Sequence, residues 1–466
     1  FDEIYAILDD PSKGKAEDWA NRYRSSNAHT EYVLKPLAGK LSPQSAPTIP
    51  QPERLPQKAA NTRQVSSLRQ LLILSARNIK ILTRDRFALG LMLATAPVVS
   101  LLDVILSLVM GRNIFDFYKG DMSQVMITLF LLTIYGIMVG GISQMREIVK
   151  EQDIYRRERL VNLKILPYVL SKIWVAGLLA LYQAVAYTVV HYLSFQMPGG
   201  VLEFFQIYIT MTLATFAGMM LGLFASALAP NSSSAPLIVI ILMLPQIVLA
   251  GALIPVPSFV SAPFSTRWAF ESLIAISGSG SDVAKDVCWV LPPDVRNAMT
   301  LEDKLANNCN CMGINMLKVE SCNHPGIGKF YIPLVDQPLP IAPAPLPPEP
   351  VRPVEPENQS DNVAMADFFA QLKAYELEVE LYKAQADQYQ KDQVEYQTVI
   401  SQLKVQVATG EAVVRTFING SGFAYVDKDD PLAYHSKVFL TWAVQSFIIL
   451  LLFGAILYLQ KRKDVI

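Results

Sequence analysis

Residues 125–164 read VMITLFLLTIYGIMVGGISQMREIVKEQDIYRRERLVNLK. The first nineteen carry no charge, and as a helix they rise about 28 Å, close to the thickness of a bilayer's hydrocarbon. The rest is dense in charge: Arg146, Glu147, Lys150, Glu151, Asp153, Arg156, Arg157, Glu158, Arg159 and Lys164. A chain written this way crosses a membrane as a helix and leaves it into a charged, solvated segment.

Working outward, the composition agrees. The chain has 466 residues, of which 52% are hydrophobic and 17% charged, and its mean hydropathy is positive. Such a chain is an all-α integral membrane protein. Six stretches are apolar enough to span as helices: 87–110, 125–143, 168–193, 205–228, 235–254 and 438–459. The formal net charge of −1, with no basic patch interleaved with aromatics, gives no reason to expect nucleic acid as a partner.

Lys and Arg orient the spans, since cationic flanks are retained in the cytoplasm. Arg69, Arg77, Lys80, Arg84 and Arg86 precede the first span, the charged segment follows the second, and Lys461-Arg462-Lys463 follow the last. The loop after span one has only Arg112 and Lys119. Both termini are therefore expected in the cytoplasm of a plasma (inner) membrane protein, with the loop 255–435 external or periplasmic.

Residues 1–62 are expected to be the tail of an upstream soluble domain followed by a Pro-, Ser- and Gln-rich linker. In the next segment, 63–86, Leu68, Leu71, Leu72, Leu74, Ile79 and Ile81 alternate at helical spacing with Arg69, Arg77 and Lys80. That pattern predicts an amphipathic helix lying along the inner membrane face, although a plain cytosolic extension of span one has the same composition.

Several motifs stand in order here: Ala76-Arg77-Asn78 and Arg84-Asp85-Arg86, then Glu151-x5-Arg157-Glu158, Tyr168-Val169-Leu170-Ser171-Lys172, and Arg267-Trp268-Ala269-Phe270-Glu271. Together they resemble the membrane half of G-subfamily (White-type) ABC transporters, an ABC-2 type permease, over about residues 66–277 and the last span. The resemblance implies five spans within 87–277, a coupling helix at 144–164, a re-entrant segment at 255–277, and a homodimer. It also implies an ATPase domain, here upstream in the same polypeptide, that would carry ATP and Mg. This chain has no G-x-x-x-x-G-K-[ST] loop and no LSGGQ-like signature, so no catalytic residue and no cofactor is assigned to it.

By the same resemblance Arg146, Glu147, Glu151, Arg157, Glu158 and Arg159 would couple the ATPase to the membrane domain. The physical reading allows this, because both signs of charge project where a partner could pair with them. It also allows simple anchoring of two spans. The chain departs from the family just afterwards, where the usual Gly or Tyr gives way to Val161-Asn162-Leu163-Lys164. The family's substrate cavity, on the dimer axis between spans two and five, would be lined here by Leu132, Tyr135, Val139, Leu244 and Gln246, with Leu253 at an outer plug. Such a lining suits a lipid-like substrate; the same side chains could also face lipid. The pairs Gly136-x3-Gly140 and Gly218-x3-Gly222 allow helices to approach closely, within one chain or between two. Asp103 is the lone acid within a span: a functional candidate, or a carboxylate satisfied near the outer end.

The external loop holds all four cysteines, Cys288, Cys309, Cys311 and Cys322. Confinement to one face points to disulfides in an oxidising compartment, with Cys309 and Cys311 too close to bridge each other, so one should pair with Cys288 and the other with Cys322. A zinc site from Cys309, Cys311, Cys322 and His324 is the alternative, but its spacing matches no strong zinc pattern, and no metal is assigned. Residues 278–335 then form a cysteine-containing subdomain and 336–410 a stalk.

Pro338 opens a run with a proline at nearly every second or third position, up to Pro356. It predicts a polyproline II rod. A 4-3 repeat follows: Phe368, Leu372, Tyr375, Val379, Tyr382, Ala386, Tyr389, Gln393, Tyr396, Ile400, Leu403 and Val407. It predicts one helix over 361–409, on the order of 70 Å long and about as long as the rod. The rod would climb outward and the helix descend, with Tyr375, Tyr382, Tyr389 and Tyr396 offering flat faces to proline rings. This arrangement resembles the helix and polyproline stalks of antigen I/II adhesins. A coiled coil with the helix of a second subunit is the rival reading. A return segment, 411–437, would lead to the last span and a cytoplasmic tail, 438–466. Membrane lipid, and an envelope partner for the stalk, complete the expected partners.

Overall fold

The computed structural model describes residues 16–38, 65–254, 256–356, 362–420 and 425–463. The chain divides into two compact units, Phe1–Gln64 and Val65–Ile466. In the first, the helix Ala16–Arg24 has Glu17 and Asp18 in its first turn and Arg22 and Arg24 in its last, charges placed to suit the helix dipole. Ser26 caps the next short turn by accepting from the His29 amide at 3.2 Å. The expected linker lies outside the described residues.

Every regular element described in the second unit is helical. We label the ten used below: α1 Ser67–Arg84, α2 Arg86–Met110, α3 Met122–Gln144, α4 Gln152–Leu160, α5 Ile165–Ser194, α6 Val201–Leu228, α7 Ala235–Val248, α8 Ser265–Ser277, α9 Asn362–Gly420 and α10 Pro431–Lys463. Ser66 starts α1 by accepting from the Arg69 amide at 3.3 Å. Asp121 starts α3 in the same way, accepting from Ser123.

Five helical stretches are long and apolar enough to cross a membrane: Leu89–Met110, Met122–Leu160, Ile165–Ser194, Val201–Leu228 and Pro431–Lys463. The sixth expected span, 235–254, is a correction. Its helix, α7, has 14 residues and stops at Val248, about 21 Å at 1.5 Å per residue and short of a full crossing. Pro245 has no amide to give to the carbonyl one turn back, and Gly251 turns the chain with φ +82°. The polypeptide re-enters as α8, which packs among α3, α6 and α10 with every residue buried except Trp268.

The bundle is built on α3 and α6. A Cβ on Gly140 would stand 2.4 Å from the Thr215 carbonyl, one on Gly218 2.3 Å from that of Ile137, and one on Gly222 2.3 Å from that of Gly141. Both small-x3-small pairs are thus used within one chain, where they bring two backbones into contact. The core around this seam holds Leu129, Phe130, Leu132, Tyr187, Met211 and Phe270, with the rings of Phe130 and Phe270 edge to face at 5.5 Å.

The remaining fold lies between α8 and α10. Cys288 bridges Cys309 and Cys311 bridges Cys322, with Cα separations of 5.5 and 5.0 Å. All four cysteines are buried, and their thiols are therefore not free to ligate zinc. Asp286 joins the two bridges, accepting from the amides of Cys288 at 2.9 Å and Cys311 at 2.7 Å. Burial outweighs those donors and holds its carboxyl above the usual range. Gly326 and Gly328 donate to the carbonyls of Asp116 and Phe117, tying this subdomain to the segment between α2 and α3.

The stalk helix α9 runs 59 residues, to Gly420 rather than 409, so the expected return segment is largely helix. Its foot is cemented into the disulfide subdomain by Ile400, Leu403, Val407 and Val414 and by the buried pair of Lys304 with Glu411 at 2.7 Å. Above the foot, the partly or fully buried positions include the whole predicted seam, from Phe368 through the four tyrosines to Val407. On the proline segment the half-buried positions are Leu339, Pro340, Pro343, Leu346, Pro350, Pro353 and Pro356, which from Pro340 on is nearly the three-residue period of a polyproline II helix. Pro338, Pro340 and Pro343 share a cleft with Asp392, Tyr396 and Leu403. The twenty residues of rod (337–356) and forty-two of helix (362–403) each span about 60 Å, so the two strands of the stalk match in length.

Candidate functional site

The charged segment after α3 folds into a junction rather than a simple helix. A 3-10 turn, Val149–Glu151, breaks the run and α4 follows. The turn is held to α6 by Ser226, whose hydroxyl accepts from the amides of Ile148 and Val149 at 2.9 and 3.0 Å. Two orphaned donors are thereby satisfied at a buried break. At its far end α4 closes with the Leu163 amide on the Glu158 carbonyl at 3.1 Å and the Asn162 amide on that of Arg159 at 3.3 Å. Asn162 sits at φ +80°. This is a Schellman end in which Asn, which tolerates the left-handed region, takes the place of glycine. The departure from the family pattern noted above therefore leaves the turn intact.

Three helices meet at the junction. Glu158 of α4 pairs with Arg77 of α1 at 2.5 Å, both about a third exposed. Glu151 pairs with Lys172 of α5 at 2.7 Å, and Glu147 approaches the same ammonium at 3.7 Å. Lys172 is 4% exposed and Glu151 9%, so this second pair is out of water. Asn78 donates to Ser171 at 3.1 Å, and Gln70 spans to the Asn162 carbonyl and the Lys164 amide. These contacts fix α1, α4 and the start of α5 to one another. Beneath them Leu74, Ile148, Tyr155 and Tyr168 form an apolar bed. Such a unit can move as one body, because the pairs Arg77–Glu158 and Glu151–Lys172 tie its helices to one another.

Of the six residues expected here, Glu147, Glu151 and Glu158 are in these pairs, with Lys150 also on Glu147. Arg159 donates to the Leu163 carbonyl within the closing turn. Arg146 and Arg157 are exposed, the latter reaching only the Asp153 carbonyl at 3.4 Å. Sequence reasoning had Arg77 and Lys172 within its motifs but not as the cations of the acids. An open cleft of about 530 Å³ lies between α1 and α4, lined by Val65, Ile73, Arg77, Arg157, Glu158 and Val161.

The expected cavity residues are not brought together within one chain. Leu132 and Tyr135 are buried in the core and Val139 half-buried, while Leu244 and Leu253 are exposed. Gln246 is buried, its side-chain oxygen accepting from the Thr266 hydroxyl at 2.9 Å and from its amide at 3.3 Å, so that it caps α8.

Asp103 is fully buried and bonds His191 of α5 at 2.8 Å. The chain has four histidines, and one inside an apolar span was the available signal for this partner. Glu271 of α8 is buried between Arg267, at 3.5 Å, and Lys437 of α10. Glu203 of α6 pairs with Lys428 at 3.1 Å.

Residues 69–273, from α1 to α8, match the ABC-2 type transporter family. This stretch is an ABC-2 type transporter membrane domain. Over 260 residues, 52% of the chain, the sequence is also 26% identical to an ABC transporter ATP-binding/permease protein of Mycobacterium tuberculosis. The match spans 29% of that relative's length. The three-helix junction belongs to the membrane domain, whereas the disulfide subdomain and the stalk lie beyond residue 273.

Proposed function

We propose that this chain is the transmembrane subunit of an ATP-driven transporter that exports or flips a lipid-like substrate, working as a homodimer and driven by an ATPase domain upstream. The observation that carries this reading is the pair of cross-helix contacts Arg77–Glu158 and Glu151–Lys172. They make α1, α4 and α5 one lever, beside a cleft with an apolar floor and an exposed arginine. An ATPase domain docked there, on the cytoplasmic face, would move the spans through this lever. ATP and Mg would be held by that domain and not by this chain.

The relative's name joins an ATP-binding and a permease part, which supports the same assembly. Apolar faces of α7, with Ile240, Ile241 and Leu244 exposed, suit a path for hydrocarbon. The test is ATP turnover by the full-length protein in liposomes of varied lipid composition, with lipid movement followed alongside. Lipid-stimulated turnover coupled to movement is expected, and Glu158→Ala should uncouple the two. If Glu158→Ala left both intact, the coupling assignment would be wrong.

The stalk favours a second reading: a device in which ATP-driven motion of the spans works a partner in the cell envelope without transport. ATP turnover insensitive to lipid but dependent on the stalk would select it.

A further inference from the structure

The outer part of α9 has a second apolar stripe, separate from the tyrosine seam. Ala370, Ala374, Leu377, Leu381 and Ala384 recur at 4-3-4-3 spacing. All five are exposed, Leu377 by 61% and Leu381 by 57%. With about 3.5 residues per turn, this stripe stands roughly 150° around the helix from Tyr375, Val379 and Tyr382. The proline rod takes one face of α9 and leaves this one bare.

Three charges flank it, Lys373, Glu378 and Glu380. With Ala374 and Leu381 at heptad position a and Ala370, Leu377 and Ala384 at d, Lys373 falls at g and Glu378 at the following e. Among the described residues neither has an ion-pair partner. In a parallel coil g faces the e of the other strand, so Lys373 meets Glu378 twice by symmetry. In an antiparallel coil g faces g and e faces e, so the register that sets Lys373 on Glu380 also sets Glu378 against Glu378.

We infer that this stripe docks on the same stripe of a second copy, in parallel, so that two stalks form one coiled column with a proline rod on each outer side. The inference rests on the dimer in the proposed function, which roots both stalks on the same face of one membrane and so gives them the parallel direction, the one in which Lys373 meets Glu378 and no like charges face each other. Alanine at three of five positions lets the helices approach closely. Two heptads hold free helices poorly, but stalks tethered in one dimer meet at an effective concentration of about millimolar.

The four cysteines of this chain are all in disulfides, so none of them offers a free thiol to a cysteine introduced in the stalk. Leu377→Cys, Leu381→Cys and, on the polar face, Glu376→Cys would be placed singly in the full-length protein and oxidised mildly in membranes. Leu377→Cys and Leu381→Cys are expected to give about tenfold more cross-linked dimer than Glu376→Cys, because only the first two bring Cα atoms within bridging distance. Adding Lys373→Glu to Leu377→Cys should lower the yield, and adding Glu378→Lys as well should restore it. Equal yields from Leu377→Cys and Glu376→Cys, in protein whose measured mass is dimeric, would overturn the column and leave the membrane dimer standing. A monomeric mass would overturn both.

Discussion

The junction at α1, α4 and α5, within the membrane domain, and the stalk beyond residue 336, outside it, are both largely helical and both charged, yet they are held together by opposite means. The junction is short, and its contacts join residues far apart in the chain: Arg77 with Glu158, Asn78 with Ser171, Glu151 with Lys172. The stalk is long and repetitive, and above its foot it depends on one seam against one rod. A break in the junction removes a tie between helices. A break in the stalk removes one rung among many. A unit of the first kind transmits force between elements, and a unit of the second kind sets reach and direction.

The largest expected effect tests the junction. Glu151→Ala leaves the Lys172 ammonium buried without its main partner, which should cost about 3–5 kcal/mol, read as a drop in thermal stability of the purified protein. Glu151→Ala with Lys172→Met should recover most of that loss, and failure to recover would show that packing and not charge holds the contact.

Next comes the foot of the stalk. Replacing Cys311 and Cys322 together by serine opens a bridge across 11 residues, expected to cost about 2–4 kcal/mol. Proteolysis should then cut within 278–335 first, with the membrane bundle resisting longer.

The foot also has a pH response. His324 is buried beside Phe417, with Asp121 the nearby charge, and burial lowers its pKa to about 4. The neutral ring is therefore favoured in the folded state. Stability is full above the ordinary histidine value near 6.5 and is lost as pH falls from there toward 4, by roughly a few kcal/mol. His324→Gln should flatten that slope; a slope unchanged in the variant would assign it to other groups.

The smallest effects belong to the rungs. Each of Tyr375, Tyr382, Tyr389 and Tyr396 changed to alanine should cost about 1 kcal/mol, and the four together should expose residues 337–356 to protease. A coil between chains with the rod detached would instead leave the rod cleavable before any substitution.

The same contrast explains what could be read from sequence. The seam and the rod have local periods, four-three and three, and the twelve seam residues from Phe368 to Val407 could be placed before any coordinates. The nearness of Cys309 to Cys311 implied that one pairs with Cys288 and the other with Cys322, but not which. The junction was visible as a cluster and, through its resemblance, as a coupling segment. Its pairing was not, because nothing local tells Glu158 that its cation is 81 residues earlier. Asp103 could be singled out for the same reason that its partner could not: an acid in lipid is conspicuous, while His191 lies 88 residues on. The shortness of α7 was hidden because hydropathy sums over Pro245 and Gly251 as it does over any helix. Gln246 was placed at a cavity by its position in a span, and its actual use as a cap depended on where α8 returns.

The central claim is that the junction transmits the work of the ATPase to the spans, and the most direct measurement is a charge exchange across it. Arg77→Glu, Glu158→Arg and the double exchange would be compared in the full-length protein, with ATP turnover and lipid movement measured together. The pair is a third exposed, so stability should change by only about 1 kcal/mol or less. The account predicts that each single reversal keeps turnover but loses most of the movement per ATP, and that the double exchange restores it. Full movement per ATP in Arg77→Glu and in Glu158→Arg would contradict it.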